Sequence, residues 1–100
     1  MAVEMLVGLH VIDDHVYQLY RDEMMPILKR YGGGLGYDFK VAEVLKSETH
    51  ASINRVFTIY FSDEDAKKAF FSNEEYLQAK KRYFERSVTE TTIIATYQRS

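Results

Sequence analysis

The order of strand-like and helix-like segments is the feature that most limits how this chain of 100 residues can fold. Four segments are rich in β-branched and aromatic residues, which favour strands. Two stretches between them place apolar residues at helical spacing instead. The predicted order is therefore β-α-β-β-α-β, with strands over residues 3–12, 36–46, 54–61 and 89–97.

The predicted strands differ in their pattern. Residues 3–12 form an apolar run that is interrupted only by Glu4, Gly8 and His10, which predicts a strand buried on both faces. Residues 36–46 alternate, and this alternation places one set of side chains on the same side of the strand: Tyr37, Phe39, Val41, Glu43 and Leu45.

The first helix is predicted to begin after Asp13-Asp14, which can cap its N-terminus, and to end at the glycines that follow Tyr31. Pro26 should kink this helix or mark its last turns. The spacing predicts a buried face and an exposed face. The buried face contains Val16, Leu19, Tyr20, Met24, Ile27, Leu28 and Tyr31, and the exposed face contains Gln18, Arg21, Asp22, Lys29 and Arg30.

The second helical region contains two predicted starts. Ser62 precedes three acidic residues and is predicted to cap the first helix, with Ala66, Ala69 and Phe70 facing inward. Ser72 is predicted to cap a further helix that continues to Ser87.

This order predicts an α+β, ferredoxin-like βαββαβ fold, in which a four-stranded antiparallel sheet carries its helices on one face. Both faces of the sheet nevertheless carry apolar residues: Val7, Phe57, Phe61 and Ile93 on one, Leu6, Val56, Tyr60 and Ile94 on the other. Monomers rarely leave such a patch uncovered, so we expect a homodimer that pairs through the sheet face.

The composition limits the partners of the chain. Thirteen basic and 15 acidic residues give a net charge of −2, which argues against a nucleic-acid partner. The absence of cysteine excludes a disulfide or a thiolate metal site. No signal peptide or membrane-spanning run is apparent, so we expect one cytoplasmic domain, residues 1–100, without a membrane partner.

Neither a metal site nor a phosphate loop is predicted. His10, His15 and His50 do not show the spacing that directs two imidazoles at one ion. The Gly32-Gly33-Gly34 run follows a helix, whereas phosphate-binding loops precede one. We therefore expect no cofactor.

Three segments carry a resemblance to a known family. The helix end at residues 26–33, with the sequence PILKRYGG, resembles the P-x-hydrophobic-x-x-Y-G-G segment of the DUF1330 family. So do VFTIYFS at residues 56–62 and, after an alanine-bearing helix, FFSNEEY at residues 70–76. The similarity covers residues 7–97. It implies membership of the dimeric α/β-barrel superfamily, in which two βαββαβ units pair through their sheets.

The chain departs from the family pattern after the double glycine. Family members usually have an arginine and a second glycine-rich turn there, whereas this chain has Gly34-Leu35-Gly36-Tyr37. A function that depends on that arginine is not expected here.

The resemblance also implies where a ligand would bind, because relatives in the superfamily hold ligands between the helices and the sheet. The candidate ligand-binding residues are Tyr20, Met24, Tyr76 and Tyr83; the alternative is that they are ordinary core residues.

The candidates for catalysis come from the strand patterns. His10 and Glu43 each interrupt an otherwise apolar strand, and they could form a histidine–carboxylate couple if the first two strands lie together. The alternative is a structural polar pair in the sheet or the dimer interface.

Two functions therefore remain open. The chain is a homodimer that binds or transforms a small apolar or aromatic molecule without a cofactor, or it is a non-catalytic structural or regulatory homodimer. A cavity between helices and sheet with convergent polar groups favours the first, and a solidly packed interior favours the second.

Overall fold

The computed structural model describes residues 1–99 and confirms the predicted order of elements. Strand β1 is followed by the long helix α1, two further strands, a broken helical region and the last strand. Their bounds are β1 Val3–Val11, α1 Asp14–Arg30, β2 Gly34–Lys40, β3 Arg55–Phe61, α2 Glu64–Ser72, α3 Glu74–Ala79, a π-helical turn Lys80–Phe84, α4 Glu85–Ser87 and β4 Val88–Gln98.

The strands form an antiparallel sheet in the order β2-β3-β1-β4. The two central strands pair in a regular register in which Val7 lies opposite Phe57. Strand β4 pairs with β1. The register shifts between Leu6 and Val7, so Ile93 lies opposite Val7 but Ala95 lies opposite Leu6. The fold is therefore the predicted α+β sheet with its helices on one side.

Alternation along the central strands creates two different surfaces. We call the surface beneath the helices the helix face; its central residues are buried and comprise Met5, Val7, Leu9, Phe57, Ile59 and Phe61. We call the opposite surface the open face; its central residues are Leu6, Gly8, His10, Val56, Thr58 and Tyr60. The expectation that the first strand is buried on both sides was therefore wrong in part, because Leu6 and His10 keep partial exposure.

Helix α1 begins and ends as predicted. The Asp13 carboxylate accepts a hydrogen bond from the Val16 amide at 3.0 Å and caps the first turn. Pro26 lies in the last turns of the helix, which ends at Arg30. Gly32 then adopts a φ of 72°, a conformation that glycine reaches without strain.

The prediction for strand β2 needs correction. It spans Gly34–Lys40, whereas the alternation predicted residues 36–46. Strand β3 is the partner of β2 in the sheet, and β3 starts at Arg55, opposite Lys40. Beyond that pair, a single backbone hydrogen bond joins Val41 to Asn54, and residues 41–54 contain no helix or strand. The alternation therefore continues in the sequence after the hydrogen-bonding partner has ended.

Both predicted serine caps are shifted by one residue. Asp63 caps α2 by accepting from the Ala66 amide at 2.7 Å, and Asn73 caps α3 by accepting from the Tyr76 amide at 3.0 Å. The Ser72 hydroxyl instead donates to the Lys68 carbonyl at 2.8 Å, inside the preceding helix. The break between the two helices was placed correctly, but carboxylate and amide oxygens act as the caps.

None of the helices formed by residues 1–99 is long and apolar enough to cross a bilayer.

Candidate functional site

A cavity of about 490 Å³ lies between the helix layer and the helix face of the sheet. Apolar and aromatic side chains from α1, α2, α3, the π-helical turn and the strands β1, β3 and β4 form most of its wall. The residues that line it are Met5, Val7, Leu9, Tyr20, Arg21, Met24, Phe57, Ile59, Lys67, Phe71, Tyr76, Lys80, Phe84, Thr91, Ile93 and Thr96. The interior is therefore not packed solid, which is the condition for a ligand site at this position.

Two tyrosine hydroxyl groups meet at this cavity. Tyr20 on α1 and Tyr76 on α3 are both buried, and their oxygens are 3.0 Å apart. Burial raises the pKa of Tyr20 well above its ordinary value and also raises the pKa of Tyr76. Both groups are protonated at neutral pH. Since one hydroxyl hydrogen is used between them, the second hydrogen is free for a ligand.

An arginine on α1 brings a positive charge to the same cavity. Arg21 is only 5% exposed, and its Nε donates to the Tyr17 hydroxyl at 2.7 Å. Its guanidinium carbon lies 4.6 Å from the centre of the Phe57 ring and 5.0 Å from that of Tyr17. The side chain is thus fixed between two aromatic rings.

Asp38 on β2 is the carboxylate that compensates Arg21. It accepts from Arg21 Nη1 at 3.2 Å and forms a bidentate pair with Arg55 at 2.8 Å for each bond. Partial burial alone would raise the pKa of Asp38, but the hydrogen bonds from Arg55 and the charges of both arginines lower it below its usual value. One carboxylate therefore serves two guanidinium groups.

Three of the four predicted ligand-binding residues line the cavity. Tyr20, Met24 and Tyr76 do so, whereas Tyr83 does not. Tyr83 belongs to the π-helical turn, where it is partly buried and has the guanidinium of Arg82 5.8 Å from its ring centre. Tyr83 packs against the hydrophobic core instead, and its role as a ligand residue stays a prediction.

The proposed pair of His10 and Glu43 is not brought together. His10 lies on the open face, as the alternation with Val7 and Leu9 predicts, and its Nδ1 is 2.8 Å from the Thr89 hydroxyl. Glu43 lies in the connection after β2 rather than in a strand. Strand β3 separates β1 from β2 in the sheet, so the condition for the couple is not met.

Sequence reasoning missed the charged residues of the cavity. Arg21 was assigned to the exposed face of α1, but it is buried, and Lys67 and Lys80 contribute the other two charges of the wall. The one sequence signal for a buried Arg21 was its position four residues after Tyr17, because residues four apart on a helix contact each other.

One other place was a candidate for a site. A more open depression of about 560 Å³ lies near the start of α2 and the end of β4, and three acidic residues contribute to its wall. Within residues 1–99, no group of three or more histidine, cysteine, aspartate or glutamate side chains could hold a metal ion. The cavity beneath the helices is the candidate site, because it is more enclosed and largely apolar.

Comparison with solved structures places the fold among ferredoxin-like proteins. The chain is similar to a protein of unknown function, RPA0582 from Rhodopseudomonas palustris, with a TM-score of 0.80 and 16% identity over 99% of this chain and 82% of that one. It is also similar to a dimeric protein of unknown function with a ferredoxin-like fold from Bacteroides fragilis, with a TM-score of 0.54, 13% identity and coverage of 97% and 95%.

A third similar structure is SnoaB, a cofactor-independent oxygenase from Streptomyces nogalater, with a TM-score of 0.57, 12% identity and coverage of 99% and 91%. At these identities the similarity establishes the fold. No curated protein matches the chain. The model of DUF1330, a domain of unknown function, matches residues 5–97, which is nearly the whole chain. The resemblance drawn from the glycine and aromatic segments is confirmed: this chain belongs to the DUF1330 family.

Proposed function

We propose that this protein binds a small apolar or aromatic molecule in the cavity beneath its helices. The cavity itself is the observation that carries the proposal. Its volume of about 490 Å³ falls within the range of small-molecule sites, and its wall is mostly apolar. A purely structural domain of this size would gain stability by filling such a space, since empty volume in a core is costly.

The polar groups of the wall support the same proposal. The hydroxyl pair of Tyr20 and Tyr76 and the guanidinium of Arg21 reach the cavity from two different helices. A few polar groups that converge on an apolar pocket are typical of sites that orient a ligand. The non-catalytic alternative gives no role to this convergence.

We further propose that the chain acts as one domain of a dimeric α/β barrel. The open face carries the partly exposed side chains of Leu6, Val56 and Tyr60, and the ring of Tyr37 stacks on Phe39 at 5.7 Å. A second copy would cover this surface. The dimeric protein from Bacteroides fragilis, which shares the fold, supports this assembly. We also propose that the protein works in the cytoplasm.

A thermal-shift screen of small aromatic and apolar compounds tests the ligand proposal. A compound at about one hundred times its Kd adds about 2.7 kcal/mol to the folded state, which raises the melting temperature by several degrees. Ile93→Trp is the variant that should block the cavity. Ile93 lines the cavity and is 57% exposed, so a larger ring there can occupy the mouth of the cavity without disturbing the core. It should abolish the shift.

Ile94→Trp is the matched control. Ile94 is the next residue of the same strand and is 48% exposed, but it does not line the cavity. This variant should keep the ligand-induced shift. If no compound stabilises the wild-type protein, or if both variants respond alike, the proposal fails and the non-catalytic module remains.

Light scattering after size exclusion tests the dimer. The wild-type protein should have about twice the chain mass at micromolar concentration. Val56→Asp places an unpaired charge in the open face and should yield a monomer. Leu77→Asp, at an exposed position of α3, should remain a dimer. A monomeric wild-type protein contradicts this assembly.

The same site would hold a substrate if the protein transforms its ligand without a cofactor. Mass spectrometry of the compound after incubation with the protein in air separates the two cases. A compound recovered unchanged indicates a binding protein, and a new product that depends on the protein indicates an enzyme.

A further inference from the structure

The guanidinium of Arg21 is incompletely satisfied. Its Nε donates to Tyr17 and its Nη1 donates to Asp38, but its Nη2 is buried and has no hydrogen-bond partner. Among residues 1–99 this is the one buried side-chain nitrogen or oxygen without such a partner. Buried polar groups are nearly always hydrogen-bonded, and those of charged groups are the most costly to leave unpaired. Since Arg21 lines the cavity, a molecule bound there can supply the missing acceptor.

The charges around Arg21 leave an excess of positive charge. Asp38 is shared with Arg55, which holds both carboxylate oxygens at 2.8 Å, closer than the 3.2 Å contact of Arg21. The neighbouring carboxylate of Asp14 is paired with Lys40 at 3.3 Å. The carboxylate of Asp38 therefore neutralises only one of the two arginines.

The other charged side chains of the cavity wall are also positive. Lys67 and Lys80 line the cavity with Arg21, and none of its lining residues is acidic. Lys67 is 3.6 Å from Glu64, whereas Lys80 forms no ion pair with any residue among 1–99. A low-dielectric pocket with basic groups and no acidic group favours an anion.

We infer that the ligand is a small aromatic or apolar carboxylic acid, whose carboxylate accepts from Arg21 while its hydrocarbon part fills the apolar cavity. This inference rests on the proposed function and adds the charge and chemical class of the ligand. The rings of Tyr17 and Phe57 hold the guanidinium in position before the ligand arrives, so little side-chain entropy is lost on binding. The free hydroxyl hydrogen of the Tyr20–Tyr76 pair provides a further donor.

A pair of isosteric probes tests the inference by titration calorimetry: 2-naphthoate and the neutral 2-naphthamide. The wild-type protein should bind naphthoate at least about tenfold more tightly than naphthamide. Arg21→Met keeps the length of the side chain but removes its charge, and it should reduce this preference to about twofold or less. Arg30→Met is the matched control, since Arg30 lies on the same helix with its side chain exposed. It should keep the full preference.

The outcomes separate this inference from the proposed function. Equal binding of both probes, or tighter binding of naphthamide, overturns the inference while leaving a ligand-binding cavity. Binding of neither probe overturns the inference, and a thermal-shift screen that also finds no ligand overturns the proposed function. If Arg21→Met does not fold, a crystal structure of the wild-type protein with naphthoate decides. The carboxylate should lie within hydrogen-bond distance of Arg21 Nη2, and a carboxylate bound only by Lys67 and Lys80 contradicts the inference.

Discussion

The two faces of the sheet use the same strands in different ways. On β1, Val7 and Leu9 are buried beneath the helices, while their neighbours Leu6 and His10 keep partial exposure on the open face. The helix face is apolar and encloses a cavity. The open face is continuous and mixes apolar side chains with hydrogen-bonding groups.

A polar cluster shows how the open face differs. Glu4 and Thr58 are buried there although no helix covers them. The Glu4 carboxylate lies 3.5 Å from Arg99 Nε, and the guanidinium of Arg99 lies 3.8 Å from the centre of the Tyr60 ring. Interaction with the nearby Glu4 carboxylate raises the pKa of Tyr97. Burial on this face is therefore achieved by polar side chains that cover one another.

The comparison teaches that the two faces differ in enclosure and in polarity. The helix face provides a shielded space in which one buried charge, Arg21, is left with a free donor. The open face provides a broad surface that a second copy of the chain can cover. The first of the following experiments compares the two faces directly.

The largest expected effect comes from two phenylalanines. Phe61 is fully buried on the helix face, and Phe61→Ala should lower the free energy of unfolding by about 3–5 kcal/mol. Phe39, opposite Val56 on the open face, is 56% exposed, and Phe39→Ala should retain most of the stability but lower the dimer fraction. Urea denaturation at two protein concentrations measures both. Similar losses at both positions would mean that the faces do not differ.

The caps of α3 give a smaller effect. Asn73→Ala removes the acceptor of the Tyr76 amide and should cost about 1 kcal/mol. Ser72→Ala should cost less than about 0.5 kcal/mol, because the Ser72 hydroxyl bonds only within the preceding helix. Thermal denaturation of the two variants provides the comparison. If Ser72→Ala loses more stability than Asn73→Ala, then Ser72 and not Asn73 caps α3.

These results separate what the sequence could predict from what it could not. The strand order and most of the buried stripe of α1 follow from periodicity, which is a local property of the chain. Leu19, which was assigned to that stripe, is exposed, and Tyr17, which was not, is buried. Arg21 was misassigned because its burial depends on Asp38 and Phe57, which come from distant strands. The end of β2 was misplaced because the partner strand, and not the alternation around Glu43, determines where pairing stops. The family resemblance named Tyr20 and Tyr76 as ligand candidates, but the contact between their hydroxyl groups depends on the packing of whole elements and was not predicted.

The smallest effect concerns pH. The folded-state pKa of Asp38 is lowered, so the carboxylate stabilises the folded protein above its unfolded pKa and this contribution is lost as the pH falls through the folded value. Asp38→Asn should therefore be less stable than the wild type at about pH 7, and the difference should shrink below about pH 4. Partial solvent exposure keeps the effect small. Glu48→Gln, at an exposed position of the connection between β2 and β3, should show little difference at either pH. If the difference in stability between Asp38→Asn and the wild type does not change with pH, the charge of Asp38 is not its cause.

The most direct measurement of the central claim is methyl NMR of the wild-type protein labelled at isoleucine and methionine and titrated with 2-naphthoate. Met5, Met24, Ile59 and Ile93 line the cavity, and their methyl signals should shift. Ile53 lies against Gly8 on the open face, and its methyl signals should stay in place. A ligand that shifts Ile53 but leaves the cavity methyl groups unchanged would contradict a binding site beneath the helices.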